Sequence, residues 1–133
     1  MSTIVNPAEF SRCFVCGAEN PIGLKLDFQY IDDEAVSTIW LDKDFTGYLN
    51  VIHGGIVSML LDEVMAKAIL VRNIIAMTVR MTIDFNEPMR PDTKYFLIGR
   101  VDKTARNLFY TSGEIKDTTG NVVASGKAVY FRK

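Results

Sequence analysis

Histidine and cysteine are scarce here: one His and two Cys stand among 133 residues. The cysteines fall close together, in Cys13-Phe14-Val15-Cys16-Gly17. Such a pair is half of a zinc site, a redox pair or two plain thiols. A structural zinc takes four ligands, yet no second cysteine pair exists and the only imidazole is His53. A redox pair belongs beside a helix in a strand–helix–strand unit, which residues 1–23 do not suggest. We therefore expect free structural thiols and no metal, with a metal shared between two subunits as the alternative. The start, Met1 to Pro7, lacks a basic stretch followed by an apolar run, so no secretory signal is expected. The greasiest stretch, Ile56 to Val71, is broken by Asp62, Glu63 and Lys67, too short and too charged to span a bilayer. Net charge is only −1, which does not favour nucleic-acid binding. The expectation is a soluble cytoplasmic protein with no nucleic-acid or membrane partner.

Hydrophobic residues are plentiful, at 48 %, enough for a core and too many for disorder. The length suits one domain over residues 1–133. Charge is unevenly spread. Residues 1–66 hold Arg12, Lys25 and Lys43 against ten acids, and residues 67–133 hold twelve bases against six acids. The two halves either neutralise each other in the fold or leave a basic surface suited to a phosphorylated ligand.

Residues 1–23 read as an irregular lead-in punctuated by Pro7, Gly17, Pro21 and Gly23. Leu24 to Tyr30 alternates apolar and polar residues, as a half-buried strand does, and Ala35 to Leu41 returns as a second strand. A helix is predicted from Gly54 to Val71. Its apolar residues cover nearly the whole circumference, so it is expected to be buried. From Ala76 the period changes to two. Strands are predicted at Ala76–Phe85, Thr93–Asp102, Leu108–Asp117 and Val122–Phe131, with a hairpin loop at Lys103–Asn107. Short loops force antiparallel neighbours. The expected fold is α+β: one long helix wrapped by a curved antiparallel sheet of about six strands, with a face left over for a second copy.

The chemistry concentrates on the helix. Its start reads His53-Gly54-Gly55, and Asp62 follows nine residues after the His. Two glycines open a helix end where backbone N–H groups are unpaired, so a ligand oxygen can approach closely and be polarised. Glu63 has a simple explanation, a surface ion pair with Lys67 one turn on. Asp62 has no such neighbour, and a carboxylate on a buried helix without a partner is a candidate base. A Ser58–His53–Asp62 hydrolase is disfavoured, because Ser58 lies inside the helix rather than on a strained turn.

Several pieces in order resemble a known group. They are Cys13-x-x-Cys16-Gly17, Asn20-Pro21-x-Gly23-Leu24, His53-Gly54-Gly55 with Asp62, Met77-Thr78, and Asp84-Phe85-x-x-Pro88. The chain resembles hotdog-fold acyl-CoA thioesterases of the PaaI-like branch, in the 4-hydroxybenzoyl-CoA thioesterase superfamily. The resemblance implies a helix wrapped by a sheet, homodimers or homotetramers, and active sites at the dimer interface. It implies that the Gly55 amide, with Gly54 beside it, polarises a thioester carbonyl. Asp62 of the opposite subunit would act as base or nucleophile, His53 would support the loop, and Thr78 would position water. Asn50, Arg106, Arg90 and Lys103 are the expected substrate-binding residues, the basic ones toward coenzyme A phosphates. No cofactor beyond the coenzyme A of the substrate is expected. The resemblance fails at Gly47, where several relatives carry Asn, and at Leu49-Asn50, where others carry Pro-Gly. The alternatives are a non-catalytic acyl-CoA-binding module on the same scaffold and a hydratase, whose second motif is not seen.

Overall fold

A computed structural model describes residues 1–133. In chain order come β1 (Ser2–Thr3), β2 (Gln29–Ile31), β3 (Glu34–Ile39), the helix α1 (Gly54–Leu70), β4 (Ala76–Phe85), β5 (Tyr95–Ala105), β6 (Leu108–Lys116) and β7 (Val122–Arg132). Every pairing is antiparallel, in one sheet ordered β1-β2-β3-β5-β6-β7-β4. The long helix and the curved antiparallel sheet together are a hotdog fold, as expected.

The helix crosses the sheet where side chains are smallest. Gly99, Gly113 and Gly126 are register partners across β5, β6 and β7. A Cβ on Gly99 would lie 2.4 Å from the Val64 carbonyl oxygen, and one on Gly113 would lie 3.0 Å from Met65 Cγ. This glycine row lets α1 sink onto the sheet, and Leu60, Leu61, Val64 and Met65 all reach zero exposure. No helix is long and apolar enough to cross a membrane.

Four details differ from the sequence reading. The sheet has seven strands rather than about six, because Ser2–Thr3 pairs with Gln29–Tyr30. Two polar residues carry no alternation to read. Leu24–Tyr30 is largely not a sheet strand, for Lys25 adopts φ 53° and interrupts the run. Leu24 and Leu26 instead bond back to the carbonyls of Phe14 and Val15. The Lys103–Asn107 loop shrinks to Arg106-Asn107, with β5 reaching Ala105 and Arg106 at φ 56°. The fourth, the Glu63–Lys67 pair, is buried rather than on the surface and is described below.

Candidate active site on the central helix

His53 caps the helix. Its backbone is extended, and its Nδ1 accepts a 2.8 Å hydrogen bond from the Gly55 N–H. That bond leaves the ring proton on Nε2. It also occupies the amide that the sequence reading assigned to the substrate carbonyl. The Gly54 N–H has no acceptor within the chain. His53, Gly54 and Gly55 are all exposed.

Ahead of the cap, Leu49 and Asn50 both take left-handed backbone, at φ 59° and 56°. The turn they form is closed by the Gly47 N–H donating to the Val51 carbonyl at 2.9 Å. Arg90 Nη1 donates to the carbonyls of Leu49 and Asn50, at 3.4 and 3.3 Å. Arg90 therefore braces this loop. A cleft of about 610 Å³ opens between the loop, the helix tip and the end of β4, lined by Tyr48, Leu49, His53, Gly54, Phe85 and Met89 among others.

Asp62 is half-buried and free of any ion pair. Its Oδ1 accepts from the Thr78 hydroxyl at 2.8 Å, and the Tyr130 hydroxyl shares its one proton between Oδ1 at 2.7 Å and the Asp62 carbonyl at 2.8 Å. Thr78 and Tyr130 are themselves register partners on β4 and β7, and the β4 bulge begins directly after Thr78. Bulges re-aim side chains, and this one leaves Thr78 turned to the helix. Burial and the Asp62 carboxylate push the Tyr130 phenol well above its ordinary range, so it stays a donor. Oδ2 accepts no bond from the chain. Sequence reasoning missed Tyr130, since no local pattern links the last strand to the middle of the helix. Thr78 bonds the carboxylate itself, and its hydroxyl oxygen keeps the capacity to accept.

The remaining candidates separate. Ser58 Oγ donates to the Gly54 carbonyl at 3.0 Å, so no Ser58–His53–Asp62 triad forms. Lys103 lies over the Tyr110 ring, 4.7 Å from its centre, and Arg106 sits on the exposed turn beyond it. Neither touches the cleft at the helix tip. Along the helix, Gly54 and Asp62 are eight residues apart, about 12 Å at the usual rise. One chain does not bring both onto one carbonyl.

On the far side of Asp62, Lys67 is only 1 % exposed and meets Glu63 at 3.6 Å. Its ammonium also donates to Asn6 Oδ1 and, at 3.1 Å, to Cys16 Sγ. The rings of Phe10 and Phe28 flank it at 5.2 and 5.5 Å. The ammonium thus makes two hydrogen bonds and one ion pair. Helical spacing placed this pair correctly but could not show that the lead-in folds over it. Burial, followed by the Glu63 carboxylate, pushes the Cys16 thiol up to about 12.

The family model for the thioesterase superfamily matches residues 49–124, more than half of the chain. No curated protein matches the sequence. A solved thioesterase superfamily protein superposes with TM-score 0.81 at 23 % identity, over 87 % of this chain. This chain spans only 61 % of that protein's length. PaaI of Escherichia coli superposes with TM-score 0.77 at 22 % identity, over 83 % of this chain and 80 % of that one. A Streptococcus mutans protein bound to acetyl-CoA superposes with TM-score 0.76 at 16 % identity, over 81 % of this chain and 88 % of that one. The chain belongs to the thioesterase superfamily.

Proposed function

We propose that this protein hydrolyses acyl-CoA thioesters to a carboxylate and free coenzyme A, at sites shared between two copies. One observation carries the reading: two hydroxyl groups hold Asp62 Oδ1 in place while Oδ2 stays unpartnered. That is how a chain presents a base or nucleophile. As base, Oδ2 takes a proton from water while the water oxygen attacks the thioester carbon. The C–S bond then breaks, the departing sulfur takes the proton that Oδ2 had accepted, and the new carboxylic acid loses its own proton to solvent. As nucleophile, Oδ2 bonds the acyl carbon, the C–S bond breaks and the coenzyme A thiolate leaves, taking a proton from solvent. Water then splits the mixed anhydride, returning the Asp62 carboxylate and releasing the acid.

The carbonyl oxygen needs donors while it carries negative charge. Gly54 offers a free N–H, and Gly55 offers a second once the exposed His53 ring swings aside. Donors of this kind lower the barrier by about 2.7–4 kcal/mol each, and a positioned base contributes roughly 10²–10⁴-fold. Because the two groups lie far apart along one helix, the Asp62 that meets a given helix tip comes from the second copy. Strand β4 favours that arrangement. It ends the sheet with an unpaired edge and exposes Met77, Val79 and Phe85 by 64, 62 and 57 %.

Relatives add support. A hypothetical thioesterase of Streptococcus pneumoniae was solved with coenzyme A. It was also solved as an Asp→Ala and a Thr→Ala variant, the two positions sixteen apart. Asp62 and Thr78 are likewise sixteen apart. Arg106 and Lys103 supply positive charge for the coenzyme phosphates, and Arg90 holds the loop that carries Asn50, whose own side chain does not line the cleft. The protein works in the cytoplasm and needs no cofactor of its own for the reaction. Thiol release from aromatic, short and medium aliphatic acyl-CoAs tests the proposal. Tight binding with no thiol released from any of them would instead mark a non-catalytic acyl-CoA-binding module.

A further inference from the structure

We propose that Cys13, Cys16 and Glu63 form a zinc site that fastens the irregular N-terminal segment to the central helix. This reverses the expectation of plain thiols, and the reason is spatial. The third ligand comes from α1, fifty residues beyond Cys13, where no spacing rule reaches.

The donor atoms are already assembled. The two sulfurs and a Glu63 carboxylate oxygen lie within 4.8 Å of one another. Zinc bonds of about 2.3 Å to sulfur and about 2.1 Å to oxygen, at tetrahedral angles, set sulfur and oxygen roughly 3.6 Å apart. Cys13 Sγ stands 3.7 and 3.8 Å from the two Glu63 oxygens. The turn that folds Cys16 back toward Cys13 is closed by the Gly17 N–H on the Cys13 carbonyl at 2.8 Å. A Cβ on Gly17 would strike Cys13 N at 2.4 Å and Ser11 O at 2.5 Å, so the tight turn requires glycine. Three protein donors leave a water to complete the four ligands, on the side where Cys13 is only half-buried.

Charge and outer contacts fit as well. Two thiolates, the Glu63 carboxylate, Zn²⁺ and the Lys67 ammonium sum to zero. Metal-free, two thiols with Glu63 and Lys67 also sum to zero. Binding therefore displaces one proton from each thiol into solvent and leaves the buried cluster neutral. Lys67, 3.1 Å from Cys16 Sγ, donates to that thiolate as outer partners of metal ligands do. The site also has work to do. Between Thr3 and Gln29 the chain forms only one short 3₁₀ turn, yet it buries Val15, Cys16 and Phe28 against the core. A metal linking this segment to α1 substitutes for the hydrogen-bonded ladder it lacks.

The test titrates chelator-stripped, fully reduced full-length protein with zinc or cobalt alone. We expect about one ion per chain, two protons released per ion, and the visible and sulfur-to-cobalt absorption bands of tetrahedral thiolate cobalt. Melting temperature should rise with zinc. Cys13→Ser, Cys16→Ser and Glu63→Gln should each weaken binding by more than about tenfold. Reaction of the wild-type thiols with a disulfide reagent, slowed by zinc, gives the same answer if a variant fails to fold. Three outcomes overturn the proposal: no uptake of either ion by the wild type, uptake unchanged in the three variants, or recovery of a Cys13–Cys16 disulfide that excludes metal. Hydrolysis of acyl-CoA bears on neither result.

Discussion

Replacing Gly54 by proline separates chemistry from folding. Gly54 is the first residue of α1, the position where a missing N–H disturbs no helical bond and a fixed φ suits the helix. His53 before it is extended, at ψ 134°, as a residue preceding proline prefers. A Cβ at position 54 meets only the Phe85 ring, at 3.6–3.8 Å, an ordinary contact. Gly54→Pro should therefore leave stability unchanged or raise it by up to about 1 kcal/mol, through reduced freedom of the unfolded chain. Unfolding entropy of roughly 2.1 cal/mol/K per residue over 133 residues is about 0.28 kcal/mol/K. The melting temperature should then move by no more than about 4 °C. The substitution removes the one tip amide that has no acceptor, so kcat should fall by about 10²–10³. Circular dichroism melting and thiol-release kinetics measure the two effects on the same sample. A variant that melts like the wild type and turns over like it would refute the assignment of the carbonyl to this helix tip.

Four further outcomes follow from the same geometry. Asp62→Asn keeps an acceptor for Thr78 and Tyr130, so it should cost about 1 kcal/mol of stability while kcat drops by about 10²–10⁴; undiminished hydrolysis would remove Asp62 from the chemistry. Neither Gly54→Pro nor Asp62→Asn should turn over alone, but mixed dimers hold one intact site, so refolding the two together should restore about a quarter of wild-type activity. No recovery would mean that each site lies within one chain. Tyr130 keeps its proton in the folded state after the unfolded phenol has begun to lose its own, near pH 10. Stability should therefore fall as pH rises past that point, and the Tyr130→Phe variant should lose this part of the slope in alkaline denaturant titrations. Gly99→Ala drives a Cβ into the helix backbone at Val64, which cannot yield as a side-chain tip would; a loss of more than about 3 kcal/mol is expected, and a melting curve like the wild type's would contradict the close approach of helix and sheet.

Local pattern was enough for much of this protein. The period-two runs gave β4 with its ends at Ala76 and Phe85, and placed β6 and β7 within a residue or two; in β6 and β7 the period follows burial, because one sheet face packs on the helix and the other does not. Glycines after His53 marked the helix start, and the lack of a partner along the helix singled out Asp62, since a carboxylate there needs polar contacts from elsewhere; β4 and β7 supply them. What the sequence could not show is which distant side chains meet. Tyr130 reaches Asp62 only because β7 lies beside β4 with Thr78 opposite Tyr130. The glycine row on β5, β6 and β7 has meaning only once the register is set. Lys67 looked like half of a surface pair until the lead-in closed over it and brought Cys13 and Cys16 to Glu63. Helical and strand periodicity are properties of neighbours along the chain; hydrogen bonds across fifty residues or more depend on how whole elements pack, and that was decided by the tertiary structure alone.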